Sequence, residues 1–278
     1  MAVRSNPSIE RTLSGLRPPS ASHVKRWRPN RMPKRTKPYL LHASIRPDAD
    51  VDYESYPFSI PAVREIANID FHPNVTFFVG ENGSGKSTVM EGIAIALGFG
   101  AEGGTKNVRF QSAGSLSSLH DSLRLARGVP KPRDEYFLRA ESFFNVASYM
   151  DETGYLEGYG GKSLHTQSHG ESFMAVLLNK LRGNGLYLLD EPEAALSPSR
   201  QLAALSAIHQ LVEDHSQFII ATHSPILLSY PNAKIIQFDK SGISEVAFED
   251  TEHFSVTRDF LNNYPRRLEQ LLQDDTDA

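Results

Sequence analysis

The stretch Phe71-His-Pro-Asn-Val-Thr-Phe-Phe-Val79 ends as a β-branched and aromatic run of strand length and stops abruptly at Gly80, inside Gly80-Glu-Asn-Gly-Ser-Gly-Lys-Ser87. Beyond the glycines, Val89, Met90, Ile93 and Leu97 recur at helical spacing until Gly98 and Gly100 end the pattern. A strand feeding through a glycine turn straight into a helix requires that helix to pack on the face of the sheet it left. The chain is therefore expected to be layered α/β.

Gly80, Gly85, Lys86 and Ser87 occupy the fixed positions of a phosphate-binding loop. Glycines at 80, 83 and 85, with Glu81, Asn82 and Ser84 between them, let the backbone wrap an anion so that its N–H groups and the helix N-terminus face phosphate. Lys86 is expected to bridge the β- and γ-phosphates, Ser87 to offer a hydroxyl to Mg²⁺, and Thr88 to reach the α-phosphate. The plain alternative, a glycine turn with a solvated lysine, is disfavoured by the flanking strand and helix.

Two further strand ends carry chemistry. Leu186-Tyr-Leu-Leu189 is a continuous apolar run, the pattern of a strand buried on both faces, and it ends in Asp190-Glu191-Pro192. Acids at the carboxyl edge of an open α/β sheet lie where such folds bind ligands. Asp190 is read as holding Mg²⁺ through water and Glu191 as polarising the attacking water. Phe218-Ile-Ile-Ala221 is a similar run, followed by Thr222-His223-Ser224-Pro225. An imidazole there can donate to a γ-phosphate or to the attacking water; in isolation it would be read as a turn histidine.

The ordered set Gly80 to Thr88, Ser168-His-Gly-Glu171, Asp190-Glu191-Pro192 and His223 resembles the motifs of ABC-type ATPases. More narrowly, GENGSGKST, YLLDEPEAALSP and ATHSP resemble stand-alone predicted AAA-family ATPases related to the SMC, RecF and break-repair group, over nearly all of residues 55–250. The resemblance implies a P-loop NTPase fold with a mixed, mostly parallel sheet, flanking helices and an inserted helical lobe at about 112–182. It also implies an ATP-dependent homodimer in which Ser168 and the backbone of Gly170 contact the γ-phosphate of the partner's ATP, at the start of a helix over Glu171 to Leu181. His223 matches the switch histidine. The departures are His169 and Glu171 in the signature segment and Ser197 where an aspartate usually stands. The glutamine joining sheet to helical lobe has two candidates, Gln111 and Glu141. Phe58 and Tyr56 are read as core rather than as adenine-stacking groups.

The remaining sequence sets the organisation. Residues 1–37 carry ten Lys/Arg against the single acid Glu10, whereas the whole chain has a net charge of -4, so the body is acidic. This basic, Pro- and Ser-rich arm lacks apolar periodicity and is expected to be disordered. It reads as a tether for an acidic surface or nucleic acid, as a plain solvated extension, or as untranslated if Met32 is the true start. Residues 38–278 form the expected ATPase domain, with a helix over 199–213 that places Leu202, Leu205, Ile208 and Leu211 on one side, a short helical pattern from Ser115 to Arg127, a strand near Glu135 to Leu138, and a hairpin around 233–248. The chain has no cysteine, which excludes disulfides and thiolate metal sites and fits a reducing cytoplasm. No apolar run approaches membrane-spanning length. A GTPase reading fails because Asn179-Lys-Leu-Arg182 lacks the aspartate that guanine recognition uses. Hydrolysis of MgATP in a dimeric switch with an unknown protein partner is the expected function, with DNA maintenance left open; the alternative is an ATP-binding subunit that energises a membrane transporter.

Overall fold

The computed structural model describes residues 37–106, 117–152 and 163–272. Nine strands are present among these: β1 Leu40–Ile45, β2 Ile69–Asp70, β3 Val75–Val79, β4 Leu123–Arg127, β5 Asp134–Arg139, β6 Gly185–Asp190, β7 Gln217–Ala221, β8 Lys234–Asp239 and β9 Gly242–Val246. The main sheet runs β5-β6-β7-β3-β8-β9, parallel throughout except for the antiparallel edge pair β8 and β9. A second, antiparallel sheet runs β2-β1-β4.

β3, β6 and β7 are buried at every residue, as expected for parallel strands covered on both faces. Because side chains alternate along a strand, the sheet feeds two cores. Phe77, Val79, Tyr187, Leu189, Phe218 and Ile220 pack on one side with Phe173, Val176, Ala204 and Ile208. Phe78, Leu186, Leu188, Ile219 and Ala221 pack on the other with Val89, Met90 and Ile93 of the helix Lys86–Leu97. Each fully buried large side chain contributes about 2 kcal/mol of transfer free energy. The helix after the glycine loop is thus pinned to the strand before it.

The two sheets are joined by one buried side chain. Gln217, at the first position of β7, accepts from the N–H groups of Tyr39 (2.8 Å) and Leu40 (2.9 Å) and donates to the carbonyls of Leu40 (2.8 Å) and His72 (3.1 Å). Its amide is fully satisfied with no solvent exposure.

Several sequence expectations are corrected. The helical pattern ending at Arg127 is one helical turn, Leu119–Ser122, followed by β4; Leu123 and Leu125 alternate toward Ile45 and Ala43 of β1, a period of two that overrides helix propensity. β4 and β5 therefore fall inside the stretch assigned to the helical lobe, whose described helices, Phe143–Glu152 and His169–Ala175, lie between β5 and β6. The latter helix begins two residues earlier than expected and continues as a π-helical turn, Val176–Lys180. In the helix Pro198–Glu213 the inward face is Ala204, Ala207, Ile208 and Val212, while Leu202 is exposed. Lys37 belongs to the folded body, its ammonium donating to the carbonyls of Val212 and Ser216; residues 1–36 lie outside the described residues. The chain closes with the helix Glu252–Leu272, kinked at Asn263, two residues before Pro265.

Candidate functional site

The loop after β3 needs its glycines for identifiable reasons. Gly80 has φ 145°, and a Cβ there would sit 2.2 Å from the carbonyl oxygen of Phe238. Gly85 has φ 100° as the residue capping the helix Lys86–Leu97, a left-handed conformation costly for a residue with a Cβ. Glu81, Asn82 and Gly83 form the exposed crest of the loop. Lys86 is buried beneath it, and its Nζ donates to the carbonyls of Gly80 and Glu81, both at 2.8 Å. Burial lowers its pKa, against the attraction of Glu191, Asp190 and Glu193.

Ser87 Oγ donates to Asp190 Oδ1 at 3.0 Å, joining the loop to the end of β6. Burial raises the Asp190 carboxyl to about 6, against the pull of Arg139 and the Ser87 hydrogen bond. Glu191 follows with φ 52° and ψ 50°, a left-handed non-glycine residue, and its N–H donates to Ala221 O at 2.9 Å, fastening the turn to the end of β7. His223 Nε2 lies 3.7 Å from Glu191 Oε1. Burial first, then Lys86 and His253, lower the His223 pKa against the pull of Glu191, which favours the neutral ring.

The structure thus brings Lys86, Ser87, Asp190, Glu191 and His223 together at the carboxyl ends of β3, β6 and β7. Thr88 is beside this group, its Oγ1 3.4 Å from the hydroxyl of Tyr56. Tyr56 is exposed, contrary to the core reading, while Phe58 is buried as expected.

Ser168 and Gly170 are engaged elsewhere. Ser168 caps the helix His169–Ala175 in a reciprocal box with Glu171: the Ser168 N–H and hydroxyl donate to Glu171 Oε2 at 2.9 and 2.8 Å, and the Glu171 N–H donates to Ser168 Oγ at 3.4 Å. These bonds, from the Ser168 backbone and then its side chain, lower the Glu171 pKa. Arg200 reaches both residues, and a Cβ on Gly170 would meet its guanidinium. The unusual Glu171 is therefore explained as a cap, and His169 packs edge-on against Phe144, ring centroids 4.3 Å apart. Ser197 is the backbone cap of the helix Pro198–Glu213 and makes no side-chain cap bond.

Three groups in the site were given no role from sequence. Arg139, at the end of β5, binds Glu91 at 2.7 Å and Glu141 at 3.1 Å and approaches Asp190 Oδ2 at 3.8 Å; burial opposes its charge, but Glu91, Asp190 and Glu141 hold it firmly protonated. Glu141 is thereby an exposed partner of Arg139, and Gln111 lies outside the described residues. Glu193 is partly buried and its carboxylate points inward, accepting the His223 N–H, and burial raises its pKa. His253 bonds to His223. Arg139 reaches the site across the sheet and His253 from a distant helix, so local pattern gave no signal for them, whereas Glu193 stands two residues after Glu191 in a motif already read for its acids.

A mostly parallel sheet with a phosphate-type loop after β3, paired acids after β6 and a histidine turn after β7 is the arrangement that the ABC-type resemblance of the motifs implies. A family model described as an AAA domain matches residues 57–157, agreeing with the ATPase resemblance read from the motifs. Among solved structures, the chain is similar to the SMC head domain from Thermotoga maritima, at 16% identity and TM-score 0.41, over 75% of this chain and 98% of that one. It is also similar to an ATP-binding cassette of an ABC transporter in its ADP conformation, at 17% identity and TM-score 0.45, over 85% and 99% of the two chains. No curated protein matches it.

Proposed function

We propose that this chain binds MgATP and hydrolyses it to ADP and phosphate, and that it works as an ATP-dependent dimeric switch. The observation that carries this reading is the convergence of Lys86, Ser87, Asp190, Glu191 and His223 on one sheet edge, with the Ser87 to Asp190 hydrogen bond at its centre. A triphosphate in the loop would take the Lys86 ammonium from the carbonyls of Gly80 and Glu81, at no cost in buried unpaired charge.

Ser87 and Asp190 fit Mg²⁺. Both offer hard oxygens, and they already lie within hydrogen-bond distance of one another at 3.0 Å. That is the pattern of Mg²⁺ bound through one or two protein oxygens together with substrate phosphates and water. When bound, the ion neutralises charge on the β- and γ-phosphate oxygens. Glu191 is assigned to take the proton of the attacking water as its oxygen bonds to the γ-phosphorus and the bond to the β-phosphate oxygen breaks. His223 is assigned to hydrogen-bond the γ-phosphate. Ser168 and Gly170 are assigned to the partner's ATP in the closed dimer.

In this reading the chain is cytoplasmic and passes the conformational change to an unidentified protein partner. No helix among the described residues is long and apolar enough to cross a membrane. The acidic body argues against a broad DNA-binding face.

Glu191→Gln tests the assignment. Turnover is expected to fall by at least about 100-fold, the usual share of a positioned general base, with ATP retained and a dimer seen by size-exclusion chromatography. Normal turnover removes Glu191 from the mechanism. ATPase measured with and without duplex DNA at low salt decides the nucleic-acid question.

A further inference from the structure

We propose that His253, in the first turn of the C-terminal helix, is a positioning residue for His223: its Nε2–H donates to His223 Nδ1 and so fixes the tautomer in which His223 carries its proton on Nε2. This rests on the reading of His223 as the group at the γ-phosphate.

The two nitrogens are 3.0 Å apart, hydrogen-bond distance, with the rings tilted at 49°. A neutral imidazole carries one proton, so in this pair one ring donates and the other accepts. The other nitrogen of His223, Nε2, is buried without a hydrogen-bond partner among the described residues and faces Glu191 Oε1 at 3.7 Å. Everything Nε2 is expected to meet, a carboxylate or a phosphate oxygen, accepts hydrogen bonds. The useful proton is therefore on Nε2, which makes Nδ1 the acceptor and leaves His253 as the donor. Burial and the nearby Lys86 lower the pKa of both rings, which favours this neutral pair over a charged one.

The placement of His253 is built into the fold. Thr251, with no solvent exposure, donates its hydroxyl to Phe248 O at 2.7 Å and accepts from the Phe254 N–H at 3.3 Å, which sets the first turn of the helix. Phe248 and Phe254 pack at 4.6 Å between ring centroids. His253 lines one cavity of ≈ 300 Å³ with Glu81, Asn82 and His223. The His253–His223 hydrogen bond thereby joins the C-terminal helix to the phosphate site, and displacement of its first turn frees the His223 ring.

The test combines side-chain imidazole ¹⁵N NMR on the nucleotide-free protein with steady-state ATPase. In wild type His223 is expected as the Nε2–H tautomer. His253→Ala should shift it toward a mixture and lower kcat about 10-fold, equivalent to about 1.4 kcal/mol of lost bias, with KM for ATP within about twofold. His253→Gln, whose amide offers a donor in the same place, should restore both readouts. In a His223→Ala background His253→Ala should add no further loss. An unchanged His223 tautomer in His253→Ala, or losses that multiply in the double variant, overturns the proposal. Normal turnover by His223→Ala removes the γ-phosphate reading instead, while the NMR result still decides the pairing.

Discussion

Replacing Glu191 by glycine and by alanine should reverse the usual order of stability between those two residues. In ordinary backbone, glycine is less stable than alanine by roughly 0.5–1 kcal/mol, because it loses more conformational freedom on folding. Glu191 stands at φ 52° and ψ 50°, where a Cβ crowds the following carbonyl at a cost of about 1–2 kcal/mol. Alanine keeps that crowding and glycine removes it. Subtracting the entropy term leaves Glu191→Gly more stable than Glu191→Ala by about 0–1.5 kcal/mol, with a central value of about 0.75 kcal/mol. Both variants lack the carboxylate, so neither should turn over ATP. Urea unfolding followed by circular dichroism measures the difference, provided the two m-values agree. Alanine more stable than glycine by the ordinary margin would refute the claim that the turn presenting this carboxylate is held in strained backbone.

Two other perturbations test the frame around the site. Gln217→Leu leaves the buried N–H groups of Tyr39 and Leu40 without the amide oxygen they share, and should cost about 2–6 kcal/mol at one to three per orphaned donor; a loss below about 1 kcal/mol in urea unfolding would show that packing alone joins the sheets. Lys37 is pushed down from 10.5 to about 8 by burial, against the attraction of Glu213. Its folded value lies below its unfolded one, so the penalty is full below about pH 8 and fades as pH rises toward 10. Wild type should therefore gain stability relative to Lys37→Met between about pH 7.5 and 9.5, and a constant difference would refute the assignment.

The parts of the fold legible in the sequence were those written in local order. The run Val75 to Val79 before Gly80, and the apolar runs ending at Asp190 and Ala221, announced three strands whose tips carry the site. Their patterns are continuous because both faces are buried. The signal failed where a partner far along the chain decides the outcome. Leu123 to Arg127 becomes a strand because β1 is there to pair with it. Leu202 faces solvent because the helix buries a neighbouring stripe, Ala204, Ala207, Ile208 and Val212, instead. Arg139 and His253 gain their meaning from side chains about 50 and 30 positions away, separations at which no periodicity operates.

The cap on the helix His169–Ala175 has a consequence for any dimer that closes over it. The Ser168 N–H and hydroxyl at that helix start are already held by the chain's own Glu171 carboxylate, itself braced by Arg200. A phosphate arriving from a second molecule meets an occupied seat, and can be accepted only by exchange of one anion for another.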